Sequence, residues 1–512
     1  MLDYPSKEAI EKLNQQKNRG ASLTSDLKQN IALFKGLFKD DDTFIARPFN
    51  NKADPNIRFC IFNMDGLVKP DIINEAIIKP LMLTTIQFSE KKRLDTLSNQ
   101  VILINEVTKT NNLQELIESV TYGDTILILD GEAEALILNT KYFQLRSVSE
   151  PPSEQILSGP REGFNESLMV NLSMIHRRVR SNDLKLRYYT FGRRTKTKSI
   201  ICYMDSLVNK NILDELYKRL DKIDIDGVLD SNYISELICD HKWSPFRMIG
   251  FTERPDVAVS KILEGKIVLL TDGTPVVLTL PYVFAENFQS NEDYYLNYIY
   301  STFGRFLRLI SFFIAIATPA FYIALVAFHQ EMMPPQLYIT IAAERLNVPF
   351  PAAIESFLLL IVFDILKETG IRMPSNLGQA LSIVGALVIG QAAVEARLVA
   401  APMIIIVAIT AITSLLIPKI NTPAIVFRYF LLALASGFGY FGFMMGLSIL
   451  VIHIISIRSF GIPYMTPIDK LSFKGQDLKD TGVRAPWWNM KTRPKASGDS
   501  VRLNSKQSGG NN

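Results

Sequence analysis

The sequence predicts an α/β cytosolic region of two repeated subdomains followed by an all-α polytopic membrane domain, and three observations predict it. Leu309 to Phe328 runs 20 residues without a charge, which is enough helix to cross about 30 Å of hydrocarbon. The residues ahead of that run are rich in charge, as in a soluble protein. Within them a pattern recurs, since Cys60-Ile-Phe-Asn-Met-Asp65-Gly-Leu-Val68 is echoed by Ile201-Cys-Tyr-Met-Asp205-Ser-Leu-Val208.

Along the chain, Leu27, Ile31, Phe34 and Leu37 recur at helical spacing behind Thr24 and Ser25, which predicts a helix over 25–38. Each Met-Asp-x-Leu-Val motif then enters a helix-like stretch with Ile72-Ile73-x-Glu75 or Ile212-Leu213-x-Glu215. A second pair keeps nearly the same offset: Gly123 to Gly131 corresponds to Gly265 to Gly273, both ending in Asp-Gly between apolar runs. Asp-Gly there signals a β-hairpin, because glycine supplies the positive φ of a tight turn. Each copy therefore reads as strand, helix, helices, then hairpin. Asp65 and Asp205, at strand ends before helices, read as caps rather than as paired acids or metal ligands; Asp130 and Asp272 read as hairpin turns. Between the copies, Asn165 or its predecessors cap a helix reaching Arg180. Its basic end, His176-Arg177-Arg178-Val-Arg180, reads as a solvated face or an interdomain ion-pair surface. No broad basic patch with interleaved aromatics points to nucleic acid.

Further uncharged stretches span Leu377 to Val394, Leu398 to Pro418 and Tyr429 to Ile457, each long enough to cross. The short piece Ser356 to Phe363, hemmed by Glu355 and Asp364, reads as an interfacial or re-entrant helix. Arg305 and Arg308 precede the first span, and the tail after Ile457 has ten Lys/Arg against four Asp. Both ends are thus expected in the cytosol, with four spans. That arrangement leaves Lys419 and Arg428 facing outward, against the trend. Tyr294, Tyr295, Tyr298, Tyr300 and Phe303 read as an aromatic anchor in the headgroup layer. Gly442 and Gly446 have the spacing that lets helix backbones pack closely in lipid. Glu395 and Arg397 form either a tight cytosolic turn or a buried ion pair on a water-filled path. Thr318-Pro319 is either ordinary packing or a gate hinge. Six regions follow: an N-terminal helical segment (1–50), the first subdomain (51–148), a linker with helix (149–183), the second subdomain (184–290), the membrane domain (291–457) and a basic tail (458–512).

Three cysteines, Cys60, Cys202 and Cys239, with no CxxC pair, suggest a reducing compartment and neither a disulfide framework nor a zinc site. The first twenty residues are too polar for a signal peptide, so the region that follows is expected in the cytosol. No P-loop, GxGxxG, HExxH or GxSxG occurs. The expectation is therefore no enzyme, no cofactor and no metal.

Several motifs stand in one order over most of the chain. They are Pro151-Pro-Ser-Glu-Gln155, Gly159-Pro160-Arg161-Glu162-Gly-Phe164, Gly192-Arg-Arg-Thr195, Thr252-Glu253-Arg254-Pro255-Asp256, Asp272-Gly273-Thr-Pro275 and Arg484-Ala-Pro-Trp-Trp488. Together they resemble the GerA family of spore germination proteins, the A subunits of nutrient germinant receptors. The resemblance implies a protein of the spore inner membrane, its large N-terminal region and its tail facing the cytosol or spore core. It further implies a transporter-like B subunit and a lipoprotein C subunit as partners. The A subunit would couple nutrient sensing to ion release, through its own homo-oligomeric pore or by acting on another one. Glu355, Asp364, Glu395, Arg397, Thr318 and Pro319 are the candidate pore or gate residues. A non-conducting scaffold, or the stage V sporulation paralogue of the family, is the alternative. A secondary transporter fits less well, because the repeat lies in the soluble part.

Overall fold

The computed structural model describes residues 23–85, 93–142, 151, 154–156, 158–346, 348–372, 390–466, 477–490 and 493. The expected span Leu377 to Val394 lies mostly outside them, as do the first 22 residues and nearly all of the tail after Met490. The chain divides into two compact units. The first comprises Met1–Cys239, Ile249–Pro281 and Arg493–Ser500, the second Asp240–Met248, Tyr282–Thr492 and Val501–Asn512.

The first unit holds two five-stranded antiparallel sheets. One is built from β1 (Phe44–Asn50), β2 (Arg58–Met64), β3 (Val107–Thr110), β4 (Thr125–Leu129) and β5 (Ala135–Leu138), in the order β1-β2-β4-β5-β3. The other uses β6 (Leu184–Phe191), β7 (Thr197–Met204), β8 (Gly250–Thr252), β9 (Ile267–Thr271) and β10 (Val277–Leu280), in the order β6-β7-β9-β10-β8. Alternation sorts the strand residues onto two faces. In β2, Cys60, Phe62 and Met64 pack under α1 (Leu27–Leu37) and α2 (Leu113–Thr121). Phe59 and Ile61 face the helical runs at 70–83 and 93–101. A strand covered on both faces favours apolar residues at successive positions, which is why 59–62 reads as a continuous run.

The helix expected over 25–38 forms as α1 with Asp26 as its cap, and although it precedes residue 51 it belongs to the core of the first sheet. In the same way α3 (Leu168–Arg178) packs on the second sheet, with Leu184, Ile200, Cys202 and Val268. The two helices are held alike. The amide of Leu27 donates to Asp130 Oδ1 at 3.1 Å, and that of Leu168 to Asp272 Oδ1 at 3.1 Å. Gly131 N donates to Ser25 O and Gly273 N to Glu166 O, each at 2.8 Å. The Asp-Gly hairpins are present, and each aspartate caps a remote helix as well. Asp205 is not the cap expected: Asn209 caps α4 (Lys210–Leu220), while Asp205 pairs with Lys210. Likewise Pro70, not the side chain of Asp65, opens the run at 70, because proline needs no N–H partner at a helix start. The strands β1, β3, β6 and β8 were not expected.

His176, on the inner side of α3, is fully buried with neither ring nitrogen hydrogen-bonded. Burial lowers its pKa from 6.5 to about 4. The unfolded chain binds this proton near pH 6.5 and the folded chain only near pH 4, so stability falls as pH drops through that window. The loss amounts to about 3 kcal/mol. We expect His176→Met to flatten the acid limb of stability between these pH values, measured as thermal midpoint against pH; an unchanged limb would refute it. Asp41, raised by burial to about 6, acts oppositely, its contribution being lost as pH rises. The His176 effect is therefore the difference between variant and wild type.

The first unit also holds α5 (Ser231–Ile238) and α6 (Pro255–Leu263), and the second unit is helical: α7 (Tyr298–Ile323), α8 (Pro335–Arg345), α9 (Ala352–Arg372), α10 (Ala401–Leu415) and α11 (Asn421–Ser456). Among the described residues, two helical stretches, Tyr298–Phe328 and Pro418–Ser456, are long and apolar enough to cross a membrane. The piece 356–363 is not an independent short helix. It lies inside the 21-residue α9, because Asp364, Lys367 and Glu368 sustain a helix rather than end it. The last expected span is also different. At Gly439, φ +60° and ψ −139° break α11 into arms 421–438 and 440–456. The Phe427 and His453 rings are 5.9 Å apart, whereas 26 residues of straight helix would separate them by about 39 Å. The arms therefore fold back antiparallel.

Candidate functional site

Apolar helices expose their function where polar groups enter them, since each such group costs energy unless paired. In the second unit the described residues hold two such places. Asp364 on α9 accepts from Arg428 Nη2 at 2.6 Å and from Tyr429 Oη at 2.7 Å. Arg428, on the first arm of α11, is 1% exposed. A groove of about 690 Å³ opens beside the pair, lined by Phe357, Ile361, Glu368 and Arg372 among others. Nearer the start of α9, the buried Glu355 accepts from Ala400 N at 2.6 Å through Oε1. Its Oε2 and the neighbouring Ser356 Oγ are buried without a hydrogen-bond partner.

The other sequence candidates are not gathered here. Glu395 and Arg397 are exposed on a tight turn, Arg397 at φ +54°. They are a turn and not a buried ion pair, both side chains being exposed. Pro319 lies buried inside α7, which stays helical through it, and Thr318 beside it is half-buried. Gly442 and Gly446 find their packing partner in the same hairpin, against Leu434 and Leu431.

Removing one member of a buried ion pair strands the other, at a cost of about 3–5 kcal/mol, whereas replacing both by apolar residues is often near neutral. We expect Asp364→Leu or Arg428→Leu alone to lower the thermal midpoint of detergent-solubilised protein sharply, and the double variant to recover most of it. Additive losses would show that the two side chains are not a closed pair.

At the entry to α7 a second network forms. Arg305 donates to Asp293 at 2.9 Å and to Asp480 at 3.1 Å, and Arg308 donates to Asp293 at 2.6 Å. Arg484 and Trp487 close over Tyr294, and the Trp488 ring lies 5.9 Å from Tyr298. Two of the five aromatics expected as a lipid anchor are thus engaged by the tail, while Tyr300 and Phe303 stay exposed. Lys419 donates to Gln289 O at 3.0 Å, at the same end as this network.

In the first unit the motif residues converge. Arg254, 1% exposed, donates to the carbonyls of Glu154 and Pro160 and to Asp256. Thr252 Oγ1 donates to Glu154 at 2.7 Å, and Phe164 N donates to Glu253 O at 2.7 Å. Pro255 opens α6 (Pro255–Leu263). Glu162 binds Arg177 and Arg178, and Arg180 stacks on Tyr122 at 3.6 Å. The basic run is thereby spent on contacts within the unit. Arg161 is exposed.

Comparison with known proteins gives the chain its relatives. The chain is 40% identical over 480 residues to the uncharacterized membrane protein YfkQ of Bacillus subtilis (strain 168), covering 93% of this chain and 92% of that one. It is 37% identical over 484 residues to spore germination protein KA of the same organism, covering 94% and 88%. A crystal structure of the N-terminal domain of the A subunit of the Bacillus megaterium spore germinant receptor GerK3 is 30% identical. It covers 52% of this chain and 98% of that one, with a TM-score of 0.41. The family model for the Bacillus/Clostridium GerA spore germination protein matches residues 32–496. The chain belongs to the GerA family.

Proposed function

We propose that this chain is the A subunit of a spore germinant receptor, coupling nutrient sensing to ion release across the spore inner membrane as a ligand-gated homo-oligomeric channel. A transporter-like B subunit and a lipoprotein C subunit complete the complex. Support comes from kinship with named spore germination proteins over nearly the whole chain. The observation that carries the channel reading is the Asp364–Arg428 pair beside an open groove within apolar helices. Intramembrane charges of this kind mark ion paths more often than they stabilise folds. Gating requires that ligand bind one arrangement of the complex better than another.

The antiparallel arms of α11 give this reading a consistent topology. They return the chain to the end where it entered, so Lys419 joins Arg305 and Arg308 on the cytosolic side, as the positive-inside tendency asks. The similar strand orders, and the similar capping of α1 and α3, support two copies of one α/β unit ahead of the membrane.

The test is ion flux through liposomes containing the purified chain, for wild type and for Asp364→Asn, Glu355→Gln and Glu395→Gln. Flux altered at Asp364 or Glu355 but not at the exposed Glu395 supports the channel. Because Arg428 already neutralises Asp364, a second reading is a non-conducting scaffold. Well-folded, oligomeric protein without flux would favour it.

A further inference from the structure

The loop Asp240–Met248 is clamped against the end of the α11 hairpin at several points. Ser244 Oγ lies 2.9 Å from His453 Nε2. The Phe246 ring is buried 5.6 Å from Phe427 and 5.9 Å from His453. Ser459 Oγ donates to Met248 O, and Phe460 N donates to Asp240, each at 2.7 Å. A loop held this firmly has little freedom to hide its side chains elsewhere. Yet Trp243, at its crest, is 100% exposed.

An indole presents roughly 200 Å² of largely apolar surface with one N–H donor, so full exposure to water is unusual for it. Its setting says what covers it. Ile452 and Ile455, flanking His453, are 66% and 52% exposed on the outer face of the second arm. Ser244, the next residue along the loop from Trp243, meets His453 between them, which brings Trp243 to the level where the apolar arm ends. Beside it His241 and Lys242 are exposed, the charge that complements lipid phosphate. Tryptophan with an adjacent cation at the end of an apolar helix suits the headgroup layer, apolar ring inward and N–H toward water.

We propose that Trp243 and Lys242 form an interfacial anchor that seats this loop in the headgroup layer of an anionic membrane. The inference rests on the membrane reading of the second unit. It fixes the depth of the α11 hairpin, since the loop is bonded to His453 one turn from its end.

The chain has three tryptophans, so the variant Trp487→Phe with Trp488→Phe leaves Trp243 as the sole indole reporter while keeping rings at the other two positions. It is reconstituted in vesicles of equal parts phosphatidylglycerol and phosphatidylcholine, with acyl chains brominated near the headgroup or near the methyl end. The expected result is blue-shifted emission, largely lost to bromines near the headgroup, little affected by bromines at the chain end, and shielded from iodide. Lys242→Glu is expected to weaken the quenching. Red-shifted, iodide-accessible emission from vesicle-incorporated protein would overturn the anchor. So would blue-shifted emission that neither bromine position quenches, which would mean protein, such as a second copy, covers the ring. A chain that fails to float with vesicles at all would instead overturn the membrane reading.

Discussion

Gly442→Ala is expected to cost about 3 kcal/mol or more, because overpacking that no side chain can relieve exceeds the usual 1–3 kcal/mol range. A Cβ built at Gly442 lies 2.1 Å from the backbone oxygen of Leu434 and 2.7 Å from its carbonyl carbon. A backbone atom inside a helix cannot step aside without opening the arm that carries it. Two other glycines of α11 supply the scale. At Gly446 the nearest atom is the tip of Leu434, at 3.0 Å, which a rotamer change relieves, so alanine there costs less. At Gly437 nothing lies within 4 Å, and alanine there gains about 0.5–1 kcal/mol of helix propensity. Thermal midpoints of the solubilised full chain should rank Gly437→Ala above wild type, then Gly446→Ala, then Gly442→Ala. Equal midpoints for the Gly442 and Gly437 variants would show that the arms do not fold back.

The same hairpin marks the boundary of what the sequence discloses. The apolar runs Leu398 to Pro418 and Tyr429 to Ile457 announce helices, but the 29 residues of the second would extend about 44 Å as one rod. That length exceeds what hydrocarbon needs and was the available sign of a reversal. In the first unit, strands built on continuous apolar runs, such as Phe59–Phe62 and Ile267–Leu270, were legible because burial on both faces favours that composition. The strand β3, Val-Thr-Lys-Thr, was not, since pairing with β5 makes it a strand and its own residues do not. Among candidate residues, Asp364 was legible as a charge in an apolar setting, while its partner Arg428 lies 64 positions away and read as a count against the topology. Trp243 stands alone between polar residues, and only the clamp on His453 gives it a place.

Arg254→Ala is expected to cost the first unit about 3–5 kcal/mol, a large share of the 5–15 kcal/mol typical of a domain. The guanidinium joins three segments that are remote in sequence: Glu154 and Pro160 in the connection between the sheets, and Asp256 at the start of α6. Its loss takes the guanidinium away from a carboxylate that is 8% exposed and from two carbonyls, and a buried group that loses a hydrogen-bond partner pays part of its desolvation cost. Arg254→Lys keeps the charge but loses the planar fork, so one ammonium on a flexible stem cannot serve acceptors on three sides. It should recover only part of the loss. Removing the carboxylate as well, in Arg254→Leu with Asp256→Leu, should recover more than lysine does, because no charge is then left buried. The measurements are the thermal midpoint of the solubilised full chain and the rate of proteolysis in the connection around Pro160. A single alanine variant within 0.5 kcal/mol of wild type, which is the range of an ordinary surface substitution, would show that the connection is held by other contacts. The ion pair of Glu162 with Arg177 and Arg178 provides the contrast. It is about a third exposed, and Glu162→Ala should cost no more than about 1 kcal/mol. The large difference expected between these two motif residues follows from burial alone. Arg254 holds the connection to the second sheet, and Glu162 only trims its edge.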